Sequence, residues 1–255
     1  MAVTLKSATE IALMRRAGRV VAEVLALVES ELRPGVSTAH LDALAEAHIR
    51  RSGAVPSFKG YPGANPRRPF PASICVSIDA EIVHGIPGER TIRTGQLVSI
   101  DAGAIVEGWH GDGARSFFVG EPPEPVRELI ETTHLALMAG IAAARPGNRI
   151  EDIGAAVEDV ALPHGYGVIR QFVGHGIGRA MHEDPQVPNY RTGRPSRRIE
   201  PGMCLAIEPM FSLGRHEAVM LPDDWTIVTR DGSLAAHFEH SIAITRDGPE
   251  ILTSV

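Results

Sequence analysis

Apolar residues in the first fifty positions recur at helical spacing. Ile11, Met14, Val21, Val24, Leu25 and Val28 form one stripe behind a capping box, Ser7-x-x-Glu10, and the stripe stops before Pro34-Gly35. This predicts a helix of about 25 residues. A second helix is expected to start near Ser37-Thr38, to carry Leu41, Leu44, Ala45 and Ile49, and to stop at Gly53, which suits a C-terminal cap. After a Pro- and Gly-rich stretch from Pro62 to Pro71 the pattern turns to β: Ile74 to Ile78, Leu97 to Ile100, and Ser116 to Val119.

The order helix, helix, strands then recurs. Glu124 to Ala144 reads as a long helix ending at Arg145-Pro-Gly, which matches Arg33-Pro-Gly at an offset of 112 residues. A further helix is expected around Ile150 to Leu162, and Gly165 falls opposite Gly53 at the same offset. The match continues with different loop lengths, His84-Gly-Ile against His175-Gly-Ile and Gly95-x5-Asp101 against Gly202-x5-Glu208. The chain therefore reads as two copies of one helix-plus-sheet unit, about 8–119 and 120–245, within a single domain 1–255 of α+β class.

Composition adds exclusions. Aromatic residues are 5% of the chain, so the core must come from the Val, Ile, Leu and Ala that dominate the 44% hydrophobic content. No stretch approaches the roughly 20 apolar residues of a bilayer span, and the N-terminus has no apolar segment of an export signal. Cys75 and Cys204 form no disulfide framework and read as reduced thiols, so a cytoplasmic location is expected. A net charge of −6 leaves no basic footprint for nucleic acid and mildly favours substrates with a free amino terminus.

The polar residues carry the chemistry. Asp101 ends Leu97-Val-Ser-Ile-Asp and Glu208 ends Cys204-Leu-Ala-Ile-Glu, so each acid falls where an apolar strand would enter the core. A carboxylate there is costly unless paired or metal-bound. Asp112 lies eleven residues beyond Asp101, and Glu239 lies near the last strand. If each follows its partner by a hairpin, the four acids converge across a pseudo-twofold axis, and four carboxylates ionise together only around cations. Gly174-His-Gly-Ile-Gly surrounds His175 with glycines that would let the backbone close against a ligand. Each residue alone has a plainer reading: a strand-end acid in water, a turn Asp, an edge-strand Glu, a core or surface His. Together, four carboxylates and one imidazole argue for an oxygen-rich catalytic pair of ions such as Mn(II), Fe(II) or Co(II), with Zn(II) also compatible, over a thiolate-rich structural zinc. No His-Glu-x-x-His helix, Gly-x-Ser-x-Gly elbow or P-loop occurs.

At this point the residues resemble type I methionine aminopeptidases, of the duplicated pita-bread fold. The resemblance spans essentially the whole chain, through Val83-His-Gly-Ile-Pro87, Ser99-Ile-Asp-x10-Asp112, Gly174-His-Gly-Ile-Gly-x3-His182-Glu-x-Pro-Gln186, Ile207-Glu-Pro-Met210 and Phe238-Glu-His240. It implies two divalent metal ions, with Asp112 and Glu239 bridging, Asp101 completing one site, and His175 with Glu208 completing the other. It further implies Glu208 as proton acceptor, His84 and His182 as non-ligand histidines facing the substrate, and a methionine pocket near Phe58, Tyr61, Cys75, Met181 and Trp225. The implied substrate is the N-terminal methionine of nascent chains and peptides with a small second residue. The expected setting is a monomer working close to the ribosome.

Three positions depart from the family pattern. Gly63 to Pro71 looks like an insertion beside the pocket, Val83 stands where many relatives carry Cys, and Met181 stands where Phe is usual. None removes a ligand. The spacing from His182 to Glu208 leaves no room for the helical insert of type II enzymes, and no zinc-binding extension precedes the first helix. The rival readings are a proline-specific peptidase of the same fold, which usually carries a separate N-terminal domain, and a non-catalytic binding protein, which would have little reason to keep five ligands.

Overall fold

Ser7 caps the first helix as its spacing predicts. Its hydroxyl accepts from the Glu10 backbone N–H at 3.4 Å, and the Glu10 carboxylate accepts from the Ser7 N–H at 2.8 Å. The computed structural model describes residues 3–63 and 65–254. Helix α1 spans Ala8–Glu31 and α2 spans Thr38–Arg51, capped by the Ser37 hydroxyl. Strands β1 (Val55–Pro56), β2 (Ile74–Ile78), β3 (Glu81–Val83), β4 (Leu97–Val106) and β5 (Trp109–Phe118) follow. Helices α3 (Glu124–Ala143) and α4 (Ile150–Ala161) open the second half. Then come β6 (Gly167–Val168), β7 (Gly174–Gly176), β8 (Glu183–Val187), β9 (Cys204–Ile207) and β10 (Met210–Ser212). The chain closes with β11 (Ala218–Met220), β12 (Ile227–Thr229), β13 (Ala235–His237), β14 (Glu239–Ile244) and β15 (Pro249–Ile251).

Nine strands form the main sheet. Its spine runs β1-β4-β5-β14-β9-β7-β8, with β2 added on β4 and β15 on β14. Each pairing along the spine is antiparallel. Two three-stranded sheets, β13-β10-β6 and β11-β12-β3, stand beside it. This is the α+β, helix-plus-antiparallel-sheet architecture that the sequence pattern predicts.

The helices cover the sheet in two groups. Val21, Val24, Leu25 and Val28 of α1, with Leu41 and Ile49 of α2, pack over Ile74 and Val76 of β2 and Val98 and Ile100 of β4. Leu137 and Ile141 of α3, with Ile153 of α4, pack over Leu205 and Ile207 of β9 and Ile242 and Ile244 of β14. Strand alternation does the rest. Ile100 and Ala102 turn toward the helices, so Asp101 turns away from them, and Ile242 and Ile244 do the same for Glu239. Matching backbone geometry recurs in the two halves: φ is 91° at Gly35 and 93° at Gly147, and 72° at Gly53 and 69° at Gly165.

Two strand expectations need correction. Asp101 does not end its strand, because β4 continues to Val106 and β5 already begins at Trp109. The small residues Ala102, Gly103 and Ala104 and the run Gly111-Asp112-Gly113 look like loop in sequence but are paired strand, with Gly103 opposite Asp112. Only Glu107 and Gly108 turn, both at positive φ (50° and 79°), as a two-residue type I′ hairpin requires. The second half differs. β14 lies antiparallel beside β9, but β10 to β13 intervene in the chain, so Glu239 does not follow Glu208 by a hairpin. Glu239 sits on an interior strand of the sheet, between β5 and β9.

Candidate metal centre and active site

Five neighbouring strands of the sheet supply one polar group each. In sheet order these are Asp101 on β4, Asp112 on β5, Glu239 on β14, Glu208 directly after β9, and His175 on β7. Asp101 and Glu239 are both register partners of Ala114, and His175 is the partner of Ala206. Ligand-capable atoms of Asp112, His175 and Glu239 lie within 4.8 Å of one another. His175 Nε2 is 3.6 Å from a Glu208 oxygen and 3.8 Å from an Asp112 oxygen.

The glycines around His175 serve packing. A Cβ on Gly174 would stand 2.3 Å from the Ala206 carbonyl oxygen, and one on Gly176 would stand 2.2 Å from that of Asp184. It is the neighbouring backbones, and not a ligand, that close on this segment. The imidazole is thereby fixed. Its Nδ1 lies 2.9 Å from the Gly176 carbonyl, which only accepts, so Nδ1 carries the proton and the lone pair of Nε2 faces the acids.

The electrostatics of the cluster favour a bound cation. Burial drives the Asp101 carboxyl up to about 7, with a hydrogen bond from Asp112 opposing the rise. Burial, then repulsion from neighbouring carboxylates, pushes Asp112, Glu208 and Glu239 well above the usual acid range. Burial holds His175 down at about 3. Asp101 Oδ1, Asp112 Oδ1 and Glu239 Oε1 are buried without a hydrogen-bond partner. Unpartnered carboxylate oxygens beside a neutral imidazole fit a divalent first-row ion, which would satisfy them all.

A cavity of about 250 Å³ opens over this cluster. The sequence-predicted residues Phe58, Tyr61, Cys75, His84, Met181, His182 and Trp225 line it together with the four acids and the His175 imidazole. Phe58, Cys75 and Met181 are buried in one apolar cluster against Tyr61 and Trp225. Cys75 is an inert thiol there, its pKa raised well above the ordinary value by burial and by Asp101. His84 adopts φ 60°, a conformation that costs a non-glycine residue about 1–3 kcal/mol and that tends to mark functional positions. Its ring stands edge-on to Phe172 and Trp225 at 5.6 and 6.1 Å, and burial, then His182, lowers its pKa to about 4. His182 is at the rim, its imidazole held below the ordinary value by desolvation.

The profile of metallopeptidase family M24 matches residues 12–246. This chain belongs to metallopeptidase family M24. It is 49% identical to the methionine aminopeptidase of Clostridium acetobutylicum over 254 residues, 98% of each chain. The crystal structure of methionine aminopeptidase from Thermotoga maritima superposes with a TM-score of 0.94 at 40% identity, covering 100% of both chains. An Xaa-Pro dipeptidase from Bacillus anthracis shares the fold at a TM-score of 0.79 and 26% identity, over 98% of this chain and 62% of its own.

Within this M24 cavity the structure adds residues that sequence reasoning missed. Phe70, Phe172, Met220 and Asp224 also line it. Phe70 is hidden in sequence by its proline-rich surroundings. Phe172 lies two positions before the Gly174 motif, which is the one signal that marks it. The apparent insertion turns out to brace the wall. The Trp225 indole N–H donates to the Arg68 carbonyl at 2.9 Å, Asn65 donates to Asp224 at 3.0 Å, and the Phe70 ring stands edge-on to Trp225 at 5.1 Å.

Proposed function

We propose that this chain removes the N-terminal methionine from peptides and nascent proteins whose second residue is small. The single observation that carries the reading is one cavity with a five-residue metal-ligand set on its floor and a thioether-sized apolar wall of Phe58, Phe70, Cys75, Met181 and Trp225 above it. Asp101, Asp112, His175, Glu208 and Glu239 would together hold two divalent ions drawn from Mn, Fe, Co or Zn. Bound there, the ions supply electrophilic activation of water and of the scissile carbonyl at neutral pH.

The chain's own groups do the remaining work. The apolar wall grips the methionine side chain and so sets the first peptide bond over the cluster. Glu208, whose buried carboxylate is a stronger base than one in water, takes the proton released by the attacking water. His182 donates a hydrogen bond to the carbonyl oxygen as it gains charge. His84, neutral and held by two aromatic edges, faces the departing amine. The acidic floor holds the free α-amino group, which restricts cleavage to chain ends.

The fold is proposed as one catalytic unit of two pseudo-repeats, about 8–119 and 120–245, acting as a monomer in the cytoplasm on chains leaving the ribosome. No helix among the described residues is long and apolar enough to cross a membrane. A peptide panel tests the activity. Met-Ala-Ser should be cleaved efficiently, Met-Lys-Ser poorly and Ala-Pro not at all. Preference for Ala-Pro would transfer the chain to the proline-specific peptidases.

A further inference from the structure

Tyr61 belongs to the pocket by position, yet its hydroxyl is engaged elsewhere. The phenol oxygen lies 2.7 Å from Nδ1 of His182, with the ring centroids 5.4 Å apart and the planes 57° from parallel. The Tyr61 end of the contact is held by backbone bonds. Tyr61 N–H donates to the Phe58 carbonyl at 2.8 Å, Phe70 N–H donates to the Tyr61 carbonyl at 2.9 Å, and Gly60 N–H donates to the Phe70 carbonyl at 2.8 Å. Tyr61 thus sits in the closed stem of the loop that contains the insertion. The loop leaves and returns beside it.

We propose that Tyr61 is a positioning residue for the proposed cleavage: its O–H donates to His182 Nδ1 and fixes the imidazole as the tautomer that carries its proton on Nε2, where it can donate to the carbonyl oxygen under attack. The inference rests on the methionine aminopeptidase reading for its catalytic meaning, and on geometry for the hydrogen bond itself.

The adjacent imidazole supplies the contrast. His175 and His182 have centroids 4.3 Å apart, yet their Nδ1 atoms meet opposite partners. His175 Nδ1 meets the Gly176 carbonyl, which has no hydrogen to give, so its Nε2 keeps a lone pair for a cation. His182 Nδ1 meets a hydroxyl. A phenol O–H facing a neutral imidazole nitrogen donates, because the nitrogen is the stronger base. The proton of His182 is then left on Nε2. One backbone carbonyl makes a ligand, and one phenol makes a donor. Were the His182 proton on Nδ1, Nε2 would present a lone pair to a developing oxyanion and repel it.

Nitrogen-15 spectra of the histidine rings in the full chain, metal-free and Zn(II)-loaded, test this directly, with a His182→Gln spectrum identifying the signals. Wild-type His182 should show an unprotonated Nδ1 and a protonated Nε2. Tyr61→Phe should move both signals toward the tautomer average, and should lower kcat on Met-Ala-Ser about 10-fold with KM within about twofold, the scale of losing one neutral hydrogen bond. A proton found on Nδ1 in the wild type overturns the proposal without any variant. So do ring signals unmoved by Tyr61→Phe, or a raised KM with kcat intact, which makes Tyr61 a wall of the pocket only. Wild-type protein that shows the stated tautomer but releases no methionine overturns the proposed function and upholds the Tyr61 assignment.

Discussion

Asp101 shows what an acid costs on a buried strand. Its carboxyl is held at about 7 in the folded chain against an ordinary 3.8, so between those pH values the metal-free folded state binds a proton that the unfolded state has released. Stability from this group therefore falls as pH rises from about 4 to 7, with a slope approaching 1.4 kcal/mol per pH unit for one proton. Urea unfolding of chelated wild type and Asp101→Asn should show the variant gaining on the wild type across that window. A constant difference would mean the carboxyl is not perturbed. Met181 makes a prediction of another kind. It is buried against Phe58, Phe70 and Cys75, and its flexible thioether adapts where a flat Phe would not. Met181→Phe should raise the Met-to-Leu ratio of kcat/KM, within the roughly 1–3 kcal/mol that one methylene is worth in an apolar pocket. An unchanged ratio in folded, metal-replete protein would make Met181 simple core. Asp101 and Glu208 were legible in sequence because a carboxylate at the end of an apolar run demands a partner, whereas Asp112 and Glu239 rested on an assumed hairpin and on the family resemblance. The bond from Tyr61 to His182 was not, since nothing local marks a contact between residues so far apart in the chain.

Among the elements, the helices were legible to within a residue or two, because a stripe at helical spacing behind Ser7 or Ser37 admits few alternatives. Strands β4 and β5 were half hidden. Their glycines and alanines mimic a loop, although alternation still buries Ala102 and Ala104 on the helix side. The segment from Gly63 to Pro71 was opaque for a different reason: its partners, Pro222, Asp224 and Trp225, are supplied by a distant turn. Gly63 is the sharpest point of that contact. It has φ 54°, and a Cβ there would lie 2.4 Å from the Trp225 ring. Gly63→Ala should push the indole out of place, raise KM for Met-Ala-Ser about 10-fold, and shift the Trp225 fluorescence, on the scale of displacing one apolar wall. Gly88→Ala has open space at its Cβ and serves as the silent control. Equal behaviour of the two variants would show that the insertion does not brace the pocket.

At the scale of the whole molecule, the site exists only because the halves meet. Asp101 and Asp112 come from the first hairpin, the other three proposed ligands from the second half, and the β5–β14 pairing stitches them together with Glu239 opposite Ala114. The duplication in the sequence suggested that convergence. The order of strands that delivers it required the register. Because the four acids repel one another in the folded chain, an ion that binds there should stabilise the fold by mass action, about 2.7 kcal/mol at a hundredfold excess over its Kd. Chelation should accordingly lower the melting temperature of the wild type and leave that of Glu239→Gln nearly unmoved. The most direct measurement is a titration of chelated wild-type protein with Mn(II) or Co(II), following calorimetric stoichiometry and methionine release from Met-Ala-Ser together. Binding should saturate at two ions per chain, with release absent before metal is added and restored as the ions bind. Full release from strictly metal-free protein, or saturated binding with no release, would contradict a metal-dependent methionine aminopeptidase.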